Sequence, residues 1–423
     1  MKKYIALLGI LLLTICALPL FAAPLKVAQA VPFAPANRPG ASFKASSNTC
    51  SVLLDKKNGM FGKWTLDFKL SDNVEACKFQ VRHNGGEAAA AKELIVCAAS
   101  WVDEDNKNLD AAYLEPVSGE LLSYVMRRPK GAEKIRLSLA VRHFYKEVTF
   151  SDIVCEPVEM PPRPVRIVTA KLPASGSGDV QMDAVWKSLE KAGEKPDLVI
   201  VPEVGQLSCV KGGQVIPGAY TDWAAKWAKK LNTNVIAGMK EVRDGRYFRS
   251  AAVIDRTGKL VGVYRKTHLT AAEVENGFCR GEELPVFDLD FGKTGVLISS
   301  DFNYPETARA LRLKGAEVVA GLSGDTTAKV HNVILRVRAM ENGIAVASAC
   351  SGGKDTPARI FTADGNFIAE TYAAQTYAAG TVDLTRLGIY IQYLSISPGN
   401  GETRSFYMRE RQPELYRELS DKR

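Results

Sequence analysis

A proline-rich segment, EPVEMPPRPVR at residues 156–166, divides the chain into two halves with different hydrophobic patterns. Its four prolines exclude a helix and favour a stiff, extended linker. A chain of 423 residues is longer than one ordinary domain, so two folded domains are expected. We assign residues 46–158 to a first domain, 159–165 to the linker, 166–410 to a second domain and 411–423 to a C-terminal tail.

Short runs of alternating apolar and polar residues fill the first domain, with no helical stretch between them. Examples are GKWTLDFKL, ACKFQVRHN and KIRLSLAVRHF, separated by polar turns such as DKKNG. The pattern predicts an all-β sandwich of the jelly-roll type. The order of the runs resembles the galactose-binding-like modules of many secreted bacterial enzymes, and that resemblance implies a glycan partner. A packing or spacer domain is the simpler alternative, because aromatic residues such as Trp101 more often belong to a core.

The second domain has a different pattern, in which apolar strands alternate with amphipathic helices. PDLVIVPE and TGVLISSD are nearly continuous apolar runs, whereas DVQMDAVWKSLEKAG and ETARALRLKG have helical periodicity. Strands that are apolar throughout indicate a sheet covered on both faces, which is typical of the α/β class.

The N-terminus, MKKYIALLGILLLTICALPLFAAP, has two lysines, an apolar core and a small-residue end. These features predict a secretory signal peptide over residues 1–23 and an extracytoplasmic (periplasmic or secreted) mature protein. No second apolar stretch of membrane length follows, so we expect no membrane span. The Pro/Ala-rich residues 24–45 are predicted to form a flexible leader.

Export permits disulfide bonds, and seven cysteines follow the signal peptide. The first half carries an even set with three alternative pairings, and the second half carries an odd set. A Cys209–Cys279 bridge is one interpretation for the second set. The even set is Cys50, Cys77, Cys97 and Cys155. The odd set is Cys209, Cys279 and Cys350.

The distribution of basic residues and of histidines argues against a nucleic-acid site and a metal site. The net charge is +8, but lysines and arginines are scattered rather than clustered, so no nucleic-acid partner is expected. The four histidines show no spacing typical of metal ligands. We therefore expect neither a metal nor another cofactor.

Three polar residues stand where apolar strands of the second domain end. Glu203 ends PDLVIVPE, Lys266 ends LVGVYRK and Ser299 ends TGVLIS. Each one alone is typical of a solvated strand end. Their repetition on three strands of one domain indicates a site, because chemistry is commonly placed where strands run out into loops.

These blocks resemble the nitrilase superfamily of carbon–nitrogen hydrolases over residues 164–385. PDLVIVPE, GVYRKTHL, GVLISSDFNYPE and RVRAMEN match its blocks in order and spacing. The resemblance implies an α-β-β-α sandwich that forms homodimers, and a small amide-like substrate. Two departures are Arg249, where asparagine is usual, and His331, where tryptophan is usual.

The resemblance also implies roles for individual residues. Glu203 corresponds to the general base and Lys266 to the lysine that stabilises the oxyanion. Ser299 stands at the position of the nucleophilic cysteine, and the backbone N–H of Ser300 follows as the second oxyanion donor. For the second glutamate, which orients the lysine, spacing favours Glu275, with Glu273 as the alternative.

With a serine at the nucleophile position, the sequence is compatible with both an active enzyme and an inactive binding protein. A thiol has a pKa of about 8.5, whereas a serine hydroxyl is a far weaker acid and needs a stronger base. One hypothesis is a hydrolase of non-peptide amide or nitrile bonds that uses Ser299. The alternative is an inactive protein that binds ligand in the cleft and glycan through the sandwich. A third, an acyltransferase in which an amine replaces water, is weaker.

Overall fold

The computed structural model describes most of the chain after the predicted signal peptide. The described residues are 24–46, 48–91, 94–173, 178–202, 213–323, 328–352, 356–371, 375–385, 389–393, 398–402, 407, 409 and 411–420. Within them, no helix is long and apolar enough to cross a membrane. The predicted signal peptide, Glu203 and Cys209 lie outside the described residues.

The chain divides into two compact units. One comprises Met1–Cys97 and Leu114–Met160, and the other comprises Ala98–Tyr113 and Pro161–Arg423. The elements up to residue 157 are β1 Val27–Phe33, β2 Ala41–Ala45, β3 Cys50–Leu54, β4 Phe61–Lys69, β5 Ala76–His83, α1 Glu87–Ala91, β6 Ile95–Val102, β7 Asn108–Tyr113, β8 Glu115–Ser118, β9 Leu121–Arg127, β10 Lys134–Arg142 and β11 Val148–Pro157.

The first unit is a β domain, as its alternating pattern predicted. One antiparallel sheet has the order β2-β3-β11-β5-β9-β8, and β1, β4 and β10 pair antiparallel in another. Along β4, buried positions alternate with partly exposed ones, so only one face of this strand is fully covered. A strand with one buried face is what the alternating sequence requires.

The prediction of a flexible leader at residues 24–45 does not match the structure. β1 pairs with β4, and β2 pairs with β3, each through backbone hydrogen bonds. Every residue of β1 is exposed, so this edge strand shows none of the hydrophobic alternation by which strands are recognised. Backbone pairing alone places it in the sheet, and side-chain patterns do not report such pairing.

A second difference concerns β7, which the sequence analysis assigned to the first domain. Ala98–Tyr113 belongs to the second unit, where β7 pairs with a C-terminal strand at Gly399 and Asn108. That strand has the sequence PGNGE, and its glycines and proline are depleted in strands. Its strand pairing therefore could not be predicted from composition.

The second unit continues from the linker with alternating strands and helices. Its elements are β12 Pro164–Leu172, α2 Gly178–Ala192, β13 Leu198–Val201, α3 Ala219–Leu231, β14 Asn234–Arg243, β15 Arg246–Ile254, β16 Leu260–Arg265, α4 Ala271–Glu275, β17 Val286–Leu289, β18 Gly292–Ile298, a 3₁₀ turn Ser299–Asn303, α5 Pro305–Leu313, β19 Val318–Ser323, α6 Ala328–Asn342, β20 Ala345–Ser351, β21 Arg359–Phe361, β22 Phe367–Glu370, β23 Tyr377–Asp383, β24 Ile389–Tyr393, β25 Pro398–Glu402 and 3₁₀ turns Pro413–Leu415 and Arg417–Leu419.

The main strands of this unit follow the order β16-β15-β14-β13-β12-β20-β19-β18-β17. β12 and β20 pair only over their last residues, Lys171 with Cys350 and Leu172 with Ser351, so the sheet continues there as two layers. Apolar residues of both layers form one shared core, including Ile236 and Val296. A second core lies between β12–β15 and helices α2 and α3, and a third lies between β18–β20 and helices α5 and α6. This is the predicted α-β-β-α sandwich.

Strand direction brings the strands that precede the predicted site residues to one edge. β12, β13 and β14 are parallel, and so are β18, β19 and β20. β16 is two antiparallel steps from β14 and therefore runs in the same direction. The strands that precede Glu203, Lys266 and Ser299 consequently all end at the carboxyl edge of the sandwich.

Candidate functional site

Lys266 follows β16 and forms the centre of the described site. Its side chain is only 1% exposed, and its Nζ donates to both carboxylate oxygens of Glu273, at 2.6 and 2.8 Å. Removing an ammonium group from water is costly unless a hydrogen-bonded counter-charge accompanies it. Glu273 supplies that charge.

The structure corrects the preference for Glu275 as the residue that orients the lysine. Glu275 is exposed at the end of α4, whereas Glu273 is buried against Lys266. The sequence contained a signal for this choice, which is the motif Thr270-x-x-Glu273. Thr270 caps α4 by accepting from the backbone N–H of Glu273, and the Glu273 carboxylate accepts from the backbone N–H of Thr270. This reciprocal capping box fixes the glutamate before it meets the lysine.

Electrostatics keep Glu273 ionised. Burial by itself raises the pKa of this carboxyl, but the hydrogen bond from Lys266 and the N–H of Thr270 act against burial. Arg249 contributes a second positive charge, with Nε 3.4 Å from Oε1 of Glu273. The net result is a Glu273 pKa below its ordinary value. The described site therefore presents a carboxylate held between two cations.

Ser299 is the first residue after β18 and adopts a left-handed backbone conformation with φ of 50°. Such a conformation is uncommon for residues other than glycine, and strained turns of this kind cluster at functional sites. Arg338 of α6 supports the turn, donating from Nε to the carbonyl of Phe302 at 3.0 Å. The strand therefore ends in a sharp, well-supported turn that carries Ser299 at its start.

Asp301 ties this turn to the segment after Lys266. Its carboxylate is fully buried and accepts from the backbone N–H of Ile298 and from that of His268, both at 2.9 Å. It also accepts from the hydroxyls of Tyr264 at 2.7 Å and Thr267 at 3.2 Å. Asp301 lies in the block GVLISSDFNYPE, and the sequence analysis assigned it no role. The structure shows that it connects the ends of β16 and β18, one from each layer of the sandwich.

Two further contacts complete this connection. Ser300 donates from Oγ to the carbonyl of His268 at 2.6 Å, so its hydroxyl is occupied within the turn. The ring of His268 stacks on Tyr304, with ring centroids 4.1 Å apart. The segments that carry Lys266 and Ser299 thus touch along several residues, which places both residues in one locality.

A separate polar cluster lies beneath α6 on the helix face of β19 and β20. The Oγ of Ser323 lies 2.8 Å from Nε2 of His331 and 3.1 Å from the Oγ of Ser348. Burial lowers the His331 pKa to about 4, with Arg359 adding to the effect, so the ring is neutral at pH 7 and its Nε2 shares a hydrogen bond with the Ser323 hydroxyl. Ser323 is 1% exposed, and its hydroxyl is engaged by His331 and Ser348. The His331 ring also packs edge-on against Phe302 of the Ser299 turn, with ring centroids 5.9 Å apart.

The cysteines described in the structure form no disulfides. Cys50, Cys77 and Cys155 are buried thiols of the first unit, and a hydrogen bond with Cys77, together with burial, raises the Cys155 pKa. Cys279 is partly exposed, and the predicted Cys209–Cys279 bridge stays a prediction. No group of three His, Cys, Asp or Glu side chains within the described ranges is arranged to hold a metal ion.

Comparison with known proteins identifies the family. The sequence model of the family Carbon-nitrogen hydrolase matches residues 180–391, which is half of the chain.

The chain belongs to the carbon–nitrogen hydrolase family.

Among the relatives of this carbon–nitrogen hydrolase-family protein is the "Hydrolase in pqqF 5'region" of Pseudomonas protegens. The two are 30% identical over 243 residues, covering 53% of this chain and 81% of the relative. An "(R)-stereoselective amidase" of a Pseudomonas species is 28% identical, covering 44% and 69% respectively. The crystal structure of a carbon–nitrogen hydrolase from Helicobacter pylori G27 superposes with a TM-score of 0.50 at 22% identity, covering 62% of this chain and 99% of that chain. This last similarity concerns the fold.

The Lys266 pairing predicts different effects for two neighbouring glutamates. We expect Glu273→Gln to lower the free energy of unfolding by about 3 kcal/mol, because a buried ammonium loses its counter-charge. Glu275→Gln, at an exposed position, should change it by less than about 0.5 kcal/mol. Urea denaturation at pH 7 measures both, and equal effects would contradict the assignment of Glu273.

The same pair predicts a dependence on pH. Because folding lowers the Glu273 pKa, its stabilisation is complete above the carboxyl pKa of the unfolded chain and is lost as pH falls through the folded-state value. The difference between wild type and Glu273→Gln should therefore shrink on acidification below the ordinary carboxyl range.

Asp301 gives a second prediction. Asp301→Asn puts an amide NH₂ where a buried carboxylate accepts from two backbone N–H groups and two hydroxyls. We expect a loss of about 3 kcal/mol in the free energy of unfolding, since buried donors lose their acceptor. Asp288→Asn is the matched control, because its side chain is 76% exposed and a surface ion pair contributes little. A similar loss in the control would show that the effect does not depend on the buried network.

Proposed function

We propose that this carbon–nitrogen hydrolase-family protein hydrolyses a small non-peptide amide or nitrile, with Ser299 as nucleophile. The observation that carries the proposal is the buried Lys266–Glu273 pair at the same edge as the left-handed turn of Ser299. A buried ion pair contributes little net stability, so keeping one here indicates a use for the lysine charge. The amidase relative supports the reaction class.

The proposed reaction has two stages. The Oγ of Ser299 attacks the amide carbon while Glu203 accepts its proton, and the developing oxyanion receives hydrogen bonds from the Lys266 ammonium and the Ser300 N–H. Collapse breaks the C–N bond, and Glu203 returns the proton to the leaving amine. Glu203 then takes a proton from water as the water attacks the ester on Ser299, and it returns that proton to the Ser299 Oγ as the carboxylic acid is released. Glu273 holds Lys266 in place throughout.

Serine makes the first stage the difficult one. A carboxylate is a weak base for a hydroxyl, and each 1.4 kcal/mol of unfavourable proton transfer costs about tenfold in rate. The second candidate is therefore a binding protein that holds an amide or carboxylate in the cleft without turning it over. The observation that favours it is the serine itself, together with the occupied hydroxyl of Ser300.

Intact-mass spectrometry separates the two functions. Wild type, Ser299→Ala and Ser299→Cys proteins are incubated with small amides, nitriles and activated esters. The hydrolase predicts an acyl adduct on wild type that is absent from Ser299→Ala. Ser323→Ala is the matched control, because Ser323 follows Leu322, the partner of Ile298 on β19, but its hydroxyl is bonded to His331 and Ser348, and the variant should keep the adduct. An adduct found only on Ser299→Cys would instead favour the binding protein.

We further propose that residues 1–23 direct export, and that the mature protein acts outside the cytoplasm. The β domain of such a protein is suited to contact glycans of the cell envelope, although the hydrolase proposal does not depend on that contact. The thiols of Cys77 and Cys155 would then meet an oxidising environment.

A homodimer through α5 and α6 is proposed from their exposed apolar side chains. Val330 and Val333 are each 60% exposed on α6, and Leu313 is 49% exposed on α5. The opposite faces of α5 and α6 pack against β18–β20 in the third core. Val330, Val333 and Leu313 therefore lie on the outer surface of these helices. Exposed apolar side chains grouped on adjacent elements are typical of protein contacts.

Light scattering on the purified protein tests the dimer. We expect wild type to have the mass of two chains, and Val333→Lys to shift it to one, because a charge would have to be buried. Val117→Lys is the matched control, since Val117 is equally exposed, at 64%, but lies on β8 of the first unit. Dissociation by both variants, or a monomeric wild type, would contradict this surface.

A further inference from the structure

Cys77 and Cys155 are neighbouring thiols of the first unit, on the adjacent strands β5 and β11. In this antiparallel ladder Cys155 is opposite Phe79, and Cys77 is opposite Pro157. Cys77 and Phe79 are two residues apart, so their side chains lie on one face of the sheet, and Cys155 shares that face. All three are fully buried, so the two cysteines are diagonal neighbours on the covered side.

The two thiols already contact each other. A hydrogen bond joins them, and both residues are 0% exposed. A disulfide requires Cα atoms within about 7 Å of each other and side chains that point toward each other. Diagonal neighbours lie near the upper end of that distance, and the hydrogen bond between the thiols meets the requirement for direction.

Cys50 is too far from Cys155 to compete with Cys77. It lies on β3 opposite Phe150 of β11, which is five residues from Cys155. At about 3.3 Å per residue the separation along the strand is roughly 15 Å, beyond the span of a disulfide. Burial raises the Cys50 pKa to about 12, whereas the hydrogen bond with Cys77 is the largest cause of the raised pKa of Cys155.

The pair lies where β11 is weakly held and leads into the proline-rich linker. A bulge between Ser151 and Val154 interrupts the β5–β11 ladder just before Cys155. β3 pairs with β11 over residues 148–150, which precede the bulge. The carbonyl of Cys155 also accepts from the backbone N–H of Leu25, at 2.7 Å. The residues that follow the predicted signal peptide are therefore fixed at the same point.

We propose that Cys77 and Cys155 form a structural disulfide that joins β5 to β11 when the chain folds under oxidising conditions. The inference goes beyond the hydrolase proposal and does not depend on it. One thiolate attacks an oxidant disulfide, such as oxidised glutathione, and releases one glutathione thiol. The second thiolate then attacks the mixed disulfide, forms the Cys77–Cys155 bond and releases the other thiol. The cysteines lose two protons and two electrons, and the oxidant disulfide is reduced to two thiols.

Burial requires this bond to form while the domain folds. The thiolate is the reactive form of cysteine, and the neighbouring thiol together with burial raises the Cys155 pKa in the folded domain. Both residues are also closed to solvent there. An oxidant therefore reaches the two sulfur atoms before β11 docks, and refolding is the stage at which the bond is to be tested.

Peptide mapping tests the bond itself. The full chain is reduced, unfolded and refolded in a mixture of reduced and oxidised glutathione, and then alkylated and digested without reductant. We expect mass spectrometry to find Cys77 joined to Cys155 in most molecules. Both thiols alkylated in most molecules, or either one joined to another cysteine, would overturn the proposal. Because the oxidant is supplied in vitro, the result does not depend on export.

Thermal unfolding measures what the bond contributes. We expect wild type refolded with glutathione to unfold about 5 °C or more above wild type refolded with dithiothreitol, because the bond restricts a long segment of the unfolded chain. Cys155→Ala, and Cys77→Ala as a second variant, should remove this difference between the two preparations. Each variant is compared with itself, so the cost of the substitution cancels.

Cys50→Ala is the matched control. Cys50 is a buried thiol of the same sheet, at 5% exposure, and its loss should leave the difference between the two preparations unchanged. A difference that persists in Cys155→Ala and Cys77→Ala, or one that disappears in Cys50→Ala, would contradict the assignment of the bond. Equal stability of the two wild-type preparations would contradict its structural role.

Discussion

The buried carboxylate of Asp301 is the contact on which the geometry of the site depends. The two layers of the sandwich share an apolar core, and such a core resists separation but does not by itself fix the position of one strand end against another. Directional hydrogen bonds from the backbone N–H groups of Ile298 and His268 to the Asp301 carboxylate do so. They hold the Ser299 turn beside the segment that begins at Lys266. The proposed nucleophile and the proposed oxyanion lysine follow strands of different layers and would need such a connection, because a displacement of about 1 Å can cost about a hundredfold in rate.

The fold of the family is present, and the departure from the family pattern lies in one side chain of the proposed site. The family fold supplies strand ends, a lysine and a glutamate partner in the places that acyl transfer requires. In the proposed reaction, the side chain that supplies the electrons is the hydroxyl of Ser299. Cations near a carboxylate base lower its proton affinity, so the Lys266 ammonium would make deprotonation of a serine by the proposed base harder.

Much of the second unit could be predicted from periodicity. Apolar strands such as β13, β18 and β19 and amphipathic helices such as α3 leave clear patterns, because each must cover a core. Ser299 and Lys266 were found because they interrupt those patterns at strand ends. The strands β1 and β25 were missed for the opposite reason, since an exposed edge strand and a glycine-rich strand are specified by backbone pairing. Glu273 was ranked second because spacing was weighed without the capping box that aims its side chain.

The capping box also makes Glu273 a member of two structures at once. The same carboxylate that closes the first turn of α4 at Thr270 is the counter-ion of Lys266. Formation of this short helix and neutralisation of the Lys266 charge therefore depend on the same carboxylate. A helix of one turn has little stability of its own. The ammonium group of Lys266 consequently helps to order the loop between β16 and β17. Any ligand that draws Glu273 toward itself would loosen the backbone of this loop.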